Sequence, residues 1–128
     1  MAFGTATVLT TLGKGVLTNR IAGVGVEPKY FAVGTGATAA ARTAVVGDTA
    51  LSAEYGTRAT GTSSIVTTTT ANDTYQVVGA ITATSAVTID EYGLFTSSTA
   101  GTMFVSATVS PISVVSGDIV QYTTKLVF

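Results

Sequence analysis

Four segments in the second half of this chain alternate with a period of two, which is the pattern of a half-buried β-strand. Tyr75–Ala83, Thr102–Val109 and Val120–Phe128 show it clearly, and Val87–Phe95 shows it less cleanly but is still strand-like. In the last segment Tyr122, Leu126 and Phe128 share one face, and the opposite face is mostly polar. Threonine and valine recur throughout the chain, and such β-branched residues pack well on a pleated surface. The alternation therefore predicts a β-rich fold.

Short polar turns separate the predicted strands. Ala71–Thr74 follows Ser64–Thr70 and contains Asn and Asp, which favour tight turns, so it predicts a hairpin. Ser97–Gly101 predicts a second hairpin, and Ser110–Pro111 and Ser116–Asp118 bracket the last connection. Short strands joined by tight turns predict an all-β, antiparallel β-sandwich that is jelly-roll-like in plan.

The predicted fold is a single domain over residues 1–128, and residues 1–28 are its least regular part. Apolar residues recur there at near-helical spacing, and Thr10 or Thr11 could cap a short helix. Gly13 and Gly15 each cost such a helix up to about 1 kcal/mol relative to alanine. An extended N-terminal arm is the alternative. Further along, Lys29–Val33 is a plausible strand, and Asp48 is placed to cap a single helical turn over residues 49–52.

The composition of the chain excludes several kinds of chemical site. The chain has no cysteine and no histidine, which removes disulfides, thiolate zinc sites and histidine acid–base catalysis. A net charge of −1 offers no basic field to nucleic acid. No apolar run approaches the ~20 residues of a membrane helix. We therefore expect a non-enzymatic protein with no cofactor, no nucleic-acid partner and no membrane partner.

Charged residues make up 10% of the chain, against about 25% in an ordinary soluble domain. Protein interfaces are depleted in charge at their centres, so part of this surface could be covered by other protein. Serine and threonine hydroxyls could also provide the solvation that charges usually give. Both explanations remain open at this stage.

Two motifs could carry chemistry. Gly34–Ala39 reads G-x-G-x-x-A, as in dinucleotide-binding loops, and Glu54 lies near the distance expected of a ribose-binding acid. The rest of the chain predicts hairpins and not βαβ units, so we interpret this segment as a plain glycine-rich loop. Asp90 and Glu91 are the only adjacent acidic pair. Because neighbouring strand residues point to opposite faces, we expect these carboxylates not to share one site.

Three stretches resemble small structural proteins of tailed bacteriophages. They are Gly34–Ala39 with Asp48–Glu54 and Arg58, then Asn72–Gly79, then Ile89–Phe95. The resemblance covers roughly residues 30–128 and extends to capsid decoration proteins and to tail-collar and fibre proteins. It implies a structural protein of the virion, made in the host cytoplasm.

Three features favour a capsid cement, or decoration, protein on the capsid surface: a single short domain, a surface poor in charge, and first ~12 residues that could dock as an arm or added strand. Such a protein stabilises the phage head by binding across subunits of the major capsid protein, and we expect it to form a homo-oligomer, either a dimer or a trimer. The alternatives are a tail, collar or fibre component, and a glycan-binding domain for host recognition. The expected interface residues lie at the two ends of the chain: Ala2, Phe3, Thr5, Thr7, Leu9 and Phe128.

Overall fold

The computed structural model describes residues 6–128, which form eight strands and one helix. The elements are β1 (Ala6–Leu9), α1 (Thr11–Ile21), β2 (Tyr30–Gly34), β3 (Glu54–Thr60), β4 (Thr62–Val66), β5 (Thr74–Thr82), β6 (Val87–Phe95), β7 (Met103–Val114) and β8 (Ile119–Val127). Strands account for 49% of the described residues and helix for 9%. The prediction of an all-β antiparallel sandwich is confirmed.

The strands form two antiparallel sheets. The larger sheet has the order β1-β7-β6-β2-β3, and the smaller sheet has the order β4-β5-β8. The two predicted hairpins are β4–β5 and β6–β7. Ser110–Pro111 does not end a strand, because β7 continues to Val114. The register of β6 against β7 shifts between Ile89 and Glu91, so Pro111 lies in the stretch without paired partners, where its missing N–H is tolerated.

Helix α1 begins where the sequence predicts a cap. The Thr10 hydroxyl accepts a hydrogen bond from the Gly13 N–H at 2.9 Å and donates one to the Met103 carbonyl at 2.6 Å. Thr10 therefore caps the helix and fastens it to β7. Gly13 is required by close packing, because a Cβ atom there would clash with the Phe104 carbonyl oxygen. The alternative of an extended arm is thus limited to residues before Thr10, of which residues 6–9 form β1.

The main core lies between the two sheets. Its centre is an aromatic group in which the Tyr122 ring lies 5.9 Å from Phe31 and 4.7 Å from Tyr92 between centroids. Val16 and Leu17 of α1 pack against the same core. A second, smaller cluster lies on the other face of the larger sheet, and the loop between β2 and β3 covers it. Its buried members are Ala32, Leu51, Phe95 and Met103.

The helical turn predicted after Asp48 does not form. Asp48 belongs instead to a turn in which its side chain accepts the Val45 N–H at 3.0 Å, and the same carboxylate faces Arg42. A side chain already bound to the preceding backbone and to a cation is not free to cap the residues after it. Strand β3 was not predicted from the sequence.

Candidate functional site

The most concentrated polar chemistry in the fold lies under the loop of residues 35–53, which connects β2 to β3. We call this segment the covering loop, because its Leu51 packs onto Phe95 and Met103 on the outer face of the larger sheet. Where a loop packs against a sheet, its backbone groups on that side need partners, since an unpaired buried N–H or C=O costs about 1–3 kcal/mol. Here two adjacent residues of β6 provide many of those partners.

Asp90 binds the first part of the covering loop. Its two carboxylate oxygens accept hydrogen bonds from the backbone N–H of Ala37 at 3.0 Å and of Thr38 at 2.8 Å, and the residue is almost fully buried. These amides belong to the Gly34–Ala39 motif. In a nucleotide-binding loop such amides would face phosphate oxygens. In this chain an internal carboxylate occupies them, so the interpretation as a plain loop agrees with the structure.

Glu91 binds the last part of the covering loop. Its carboxylate accepts the Ser52 N–H at 2.8 and 2.9 Å and the Ala53 N–H at 3.2 Å, and the residue is fully buried. Gly34 lies directly beside it, since a Cβ atom there would come within 2.6 Å of the Glu91 Cγ. Glycine at this position leaves the space that the glutamate side chain fills.

Arg42 links Asp48 and Glu91 to Ser106 of β7. Its guanidinium donates to Asp48 at 2.9 Å, to the Ser106 hydroxyl at 2.7 Å and to Glu91 at 3.4 Å. Ser106 in turn donates to Asp48 at 2.7 Å. Every charge in this group is therefore paired or hydrogen-bonded, which is the condition under which buried charges persist. The Ser106 hydroxyl is fully buried, so a substrate cannot reach it in this conformation.

The prediction that Asp90 and Glu91 would not share a site is wrong. Strict alternation would send their side chains to opposite faces of the sheet. The register shift interrupts it: Ile89 pairs with Ile112, but Glu91 pairs with Thr108. Extra residues on the β7 side of such a bulge re-aim neighbouring side chains. As a result, both carboxylates hold the covering loop.

A second polar arrangement joins Tyr55 of β3 to the turn between β5 and β6. Its hydroxyl oxygen receives the backbone N–H of Thr84 and of Ser85, each at 3.1 Å, and lies 3.0 Å from both of their hydroxyl oxygens. Hydrogen bonds from Ser85 and Thr84 favour the phenolate, and they lower the pKa of Tyr55 to about 8. This oxygen is held as an acceptor by the turn between β5 and β6.

The predicted interface residues do not form one cluster among the described residues. Thr7 is exposed on β1, beside Val109 and Ser110, and Leu9 packs against the main core. Phe128 is 71% exposed and lies on the rim of a groove of about 290 Å³ beside α1. Ala2, Phe3 and Thr5 lie outside the described residues.

The groove beside α1 has mostly apolar walls. They comprise Val16, Leu17, Pro28, Ile65, Phe104, Leu126 and Phe128. Its polar residues are Arg20, Glu27 and Tyr75, and the Tyr75 hydroxyl donates to the Pro28 carbonyl at 3.1 Å. Burial, together with the nearby Glu27 carboxylate, raises the pKa of Tyr75. Sequence reasoning missed this groove, because its walls come from segments far apart in the chain.

Between residues 6 and 128, no group of three or more His, Cys, Asp or Glu side chains is placed to hold a metal ion. No helix in the same range has the length and apolar character needed to cross a membrane.

Comparison with known proteins adds no relative. No family model matches this chain, and no curated protein or solved structure matches it.

Proposed function

We propose that this chain is a non-enzymatic structural protein that acts by assembling with other protein molecules. More specifically, we propose a capsid cement protein of a tailed bacteriophage, located on the capsid surface and bound across neighbouring subunits of the major capsid protein. The proposal of a capsid cement protein depends on the sequence resemblance. The broader proposal of assembly with other proteins is supported by how the chain uses its charged and apolar side chains.

The observation that carries the proposal is the internal use of charge. Asp90, Glu91, Arg42 and Asp48 are engaged under the covering loop. Arg58 lies over the Phe95 ring at 3.6 Å and pairs with Glu54. Asp73 accepts three backbone N–H groups of its own turn. Charges used in this way hold the fold together and contribute little to solvation of the surface.

Few charges remain for the surface. Within residues 6–128, Lys14 and Lys125 are the charged side chains that make no hydrogen bond or ion pair with another residue of the chain. Apolar side chains, by contrast, are often exposed. The large exposed ones are Leu12, Ile21, Val24, Val26, Val45, Val46, Ile65, Ile112, Val115, Ile119, Val127 and Phe128. Apolar exposure combined with charge depletion is the composition of an interface core.

The aromatic residues favour assembly over glycan recognition. A glycan platform needs exposed rings beside polar groups. Tyr92 and Tyr122 are buried in the core, and Tyr55 and Tyr75 have their hydroxyls bound internally. In the described part of the chain, Phe128 is the aromatic residue whose ring is exposed.

A cement protein of this kind would bury apolar and hydroxyl-bearing surface across a seam between subunits. Any ligand that binds the assembled state and not the separated one raises the free energy of separation. Because few charges take part, binding should resist salt, which weakens interactions between exposed charges that lie farther apart than the Debye length of about 10 Å at 0.1 M. Release of the chain from particles by salt alone would argue against this mechanism.

The deciding experiment is the copy number of this chain in purified virions, measured by quantitative mass spectrometry against the major capsid protein. A ratio near one, or a simple fraction of it, supports cementing. A few to a few dozen copies support a tail or collar position, and absence from particles contradicts the virion proposal.

A matched pair of variants tests whether apolar exposure is what binds. Phe128→Ser removes an exposed ring and is expected to lower occupancy on capsids. Lys14→Gln removes one of the unpaired surface charges and is expected to leave occupancy unchanged. If Lys14→Gln lowered occupancy and Phe128→Ser left it unchanged, the attachment would be ionic.

A further inference from the structure

Strand β8 forms one edge of the smaller sheet, and no other strand among residues 6–128 pairs with its outer side. It pairs with β5 over nine consecutive residue pairs without a register shift. The Phe128 N–H bonds to the Asp73 carbonyl, and the Ala83 N–H bonds to the Asp118 carbonyl. Hydrogen-bonded pairs in an antiparallel ladder recur every second residue, so the even-numbered residues of β8 bond to β5. The odd-numbered residues from Ile119 to Val127 therefore direct their N–H and C=O groups outward.

The other three edges of the two sheets are shorter or interrupted. Strands β1 and β4 have four and five residues. Strand β3 contains Gly56 at φ +67°, pairs with β2 through a register shift and carries the Glu54–Arg58 ion pair. Short length, bulges and charge are the features that keep edge strands from pairing with other chains. Strand β8 has nine residues, no proline and a single charge, Lys125.

The sequence of β8 is complementary to itself when two copies run antiparallel. With a two-fold axis at Thr123, the middle of the strand, Ile119 lies opposite Val127 of the second copy, and Gln121 lies opposite Lys125 of the second copy. Ile119 is 69% exposed and Val127 is 48% exposed, so each would cover an apolar side chain that is open in the single chain. The half-buried Val120 and Leu126 would also lie opposite one another.

We propose that this edge binds a second copy of the chain, β8 against β8, so that two three-stranded sheets become one six-stranded sheet. The outward groups of the two strands can form roughly ten backbone hydrogen bonds in this register. An axis at Lys125 would instead place two ammonium groups against each other and shorten the overlap. The interface is isologous and closes on itself as a dimer. It requires only the chain itself and does not depend on the capsid proposal.

Cross-linking tests the register, because the chain has no cysteine of its own. Hydrogen-bonded partners in an antiparallel pair have Cα atoms about 5.5 Å apart, which is within the roughly 4.4–6.8 Å that a disulfide spans. Thr123→Cys is therefore expected to form a covalent dimer in near-complete yield under mild oxidation. Ser64→Cys, exposed on the other edge strand of the same sheet, is the matched control and should stay largely monomeric in denaturing gels.

A pair of charge variants distinguishes a loss of dimer formation from a loss of folding. Gln121→Lys places a lysine opposite each Lys125 of the proposed dimer, and we expect the dissociation constant to rise by at least tenfold in sedimentation equilibrium. Adding Lys125→Glu to that variant restores an opposite-charge pair and should restore the dimer. Both positions are exposed, so circular dichroism of all variants should match that of the unmodified chain.

Two results would overturn the proposal. One is a monomeric unmodified chain at high micromolar concentration, because the proposed interface requires only the chain itself. The other is an oligomer that responds equally to both cysteine variants and not to the charge variants, which would place the contact elsewhere. The copy-number experiment is independent of either result.

Discussion

Both carboxylate oxygens of Glu91 lie within 2.9 Å of the backbone N–H of Ser52, which is 39 positions away in the chain. Together with Asp90, which binds Ala37 and Thr38, this residue holds the two ends of the covering loop against β6. The polar residues of this region therefore act as internal partners for a backbone that has no sheet neighbour. The loop in turn covers Phe95 and Met103, which would otherwise face solvent.

Replacing Glu91 should destabilise the fold strongly. Glu91→Gln leaves Arg42 without one of its acids and turns an N–H₂ group toward backbone donors, and breaking a buried pair costs about 3–5 kcal/mol. Glu54→Gln is the control. Glu54 pairs with Arg58 but its side chain is partly exposed, and such pairs contribute about 0–1 kcal/mol. Urea unfolding measures both. Equal losses for the two variants would mean that Glu91 does not hold the loop.

The two glycines of α1 should respond in opposite directions to alanine. Gly13→Ala places a Cβ against the Phe104 carbonyl, and overpacking of this kind costs about 1–3 kcal/mol. Gly15→Ala meets no atom within 4 Å and should stabilise the helix by up to about 1 kcal/mol. Thermal unfolding of the pair checks this. Stabilisation by both substitutions would show that α1 does not pack on β7 as described.

The tyrosines should titrate in separate steps. The pKa of Tyr55 is lowered to about 8 by hydrogen bonds from Ser85 and Thr84, and burial raises the pKa of Tyr122 to about 12. Near-ultraviolet absorbance should therefore show one early phenolate, and Tyr55→Phe should abolish that step alone.

The two shifts have opposite effects on stability. The folded state holds fewer protons at Tyr55, so that contribution grows as pH rises from about 8 to 10. The folded state keeps the proton of Tyr122, so that contribution is lost as pH rises from about 10 to 12. Tyr55→Phe should remove the gain without changing the loss. An unchanged gain in this variant would assign it to another group.

Much of the second half of this fold could be predicted because its strands obey alternation. Val87–Phe95 is β6 residue for residue, and Val120–Phe128 differs from β8 by one position at each end. Strand β3 could not be predicted in this way, since Gly56 adopts a positive φ and charged residues lie on either side of it. Its stability comes from pairing with β2, which is a tertiary effect.

The site was harder to predict than the strands because it depends on contacts between distant residues. Asp90 and Glu91 act together because the register of β6 shifts against residues 108–112 of β7. Strict alternation within one strand cannot predict such a shift. The amides they bind belong to residues 37–38 and 52–53. Composition did indicate that charge is scarce, but only the fold reveals that Asp90 and Glu91 are buried beneath the covering loop.

The turn between β4 and β5 should make the protein sensitive to acid. The Asp73 carboxylate accepts the N–H groups of Thr70, Thr68 and Thr69 and the Thr74 hydroxyl, and these hydrogen bonds hold its pKa well below the usual value. Since the folded pKa is depressed, the stabilisation is complete above the unfolded value of about 4 and is lost as pH falls below it. Asp73→Asn keeps an acceptor but cannot ionise.

Unfolding in urea at neutral pH, at about pH 4 and at about pH 2.5 separates this contribution from the rest. The unmodified chain should lose stability more steeply than Asp73→Asn between the two acidic conditions, because only its side chain takes up a proton on unfolding there. The variant should also be less stable at neutral pH, where an amide replaces a carboxylate as the acceptor of three backbone N–H groups. Parallel curves for the two proteins would show that the Asp73 turn does not contribute to the acid response.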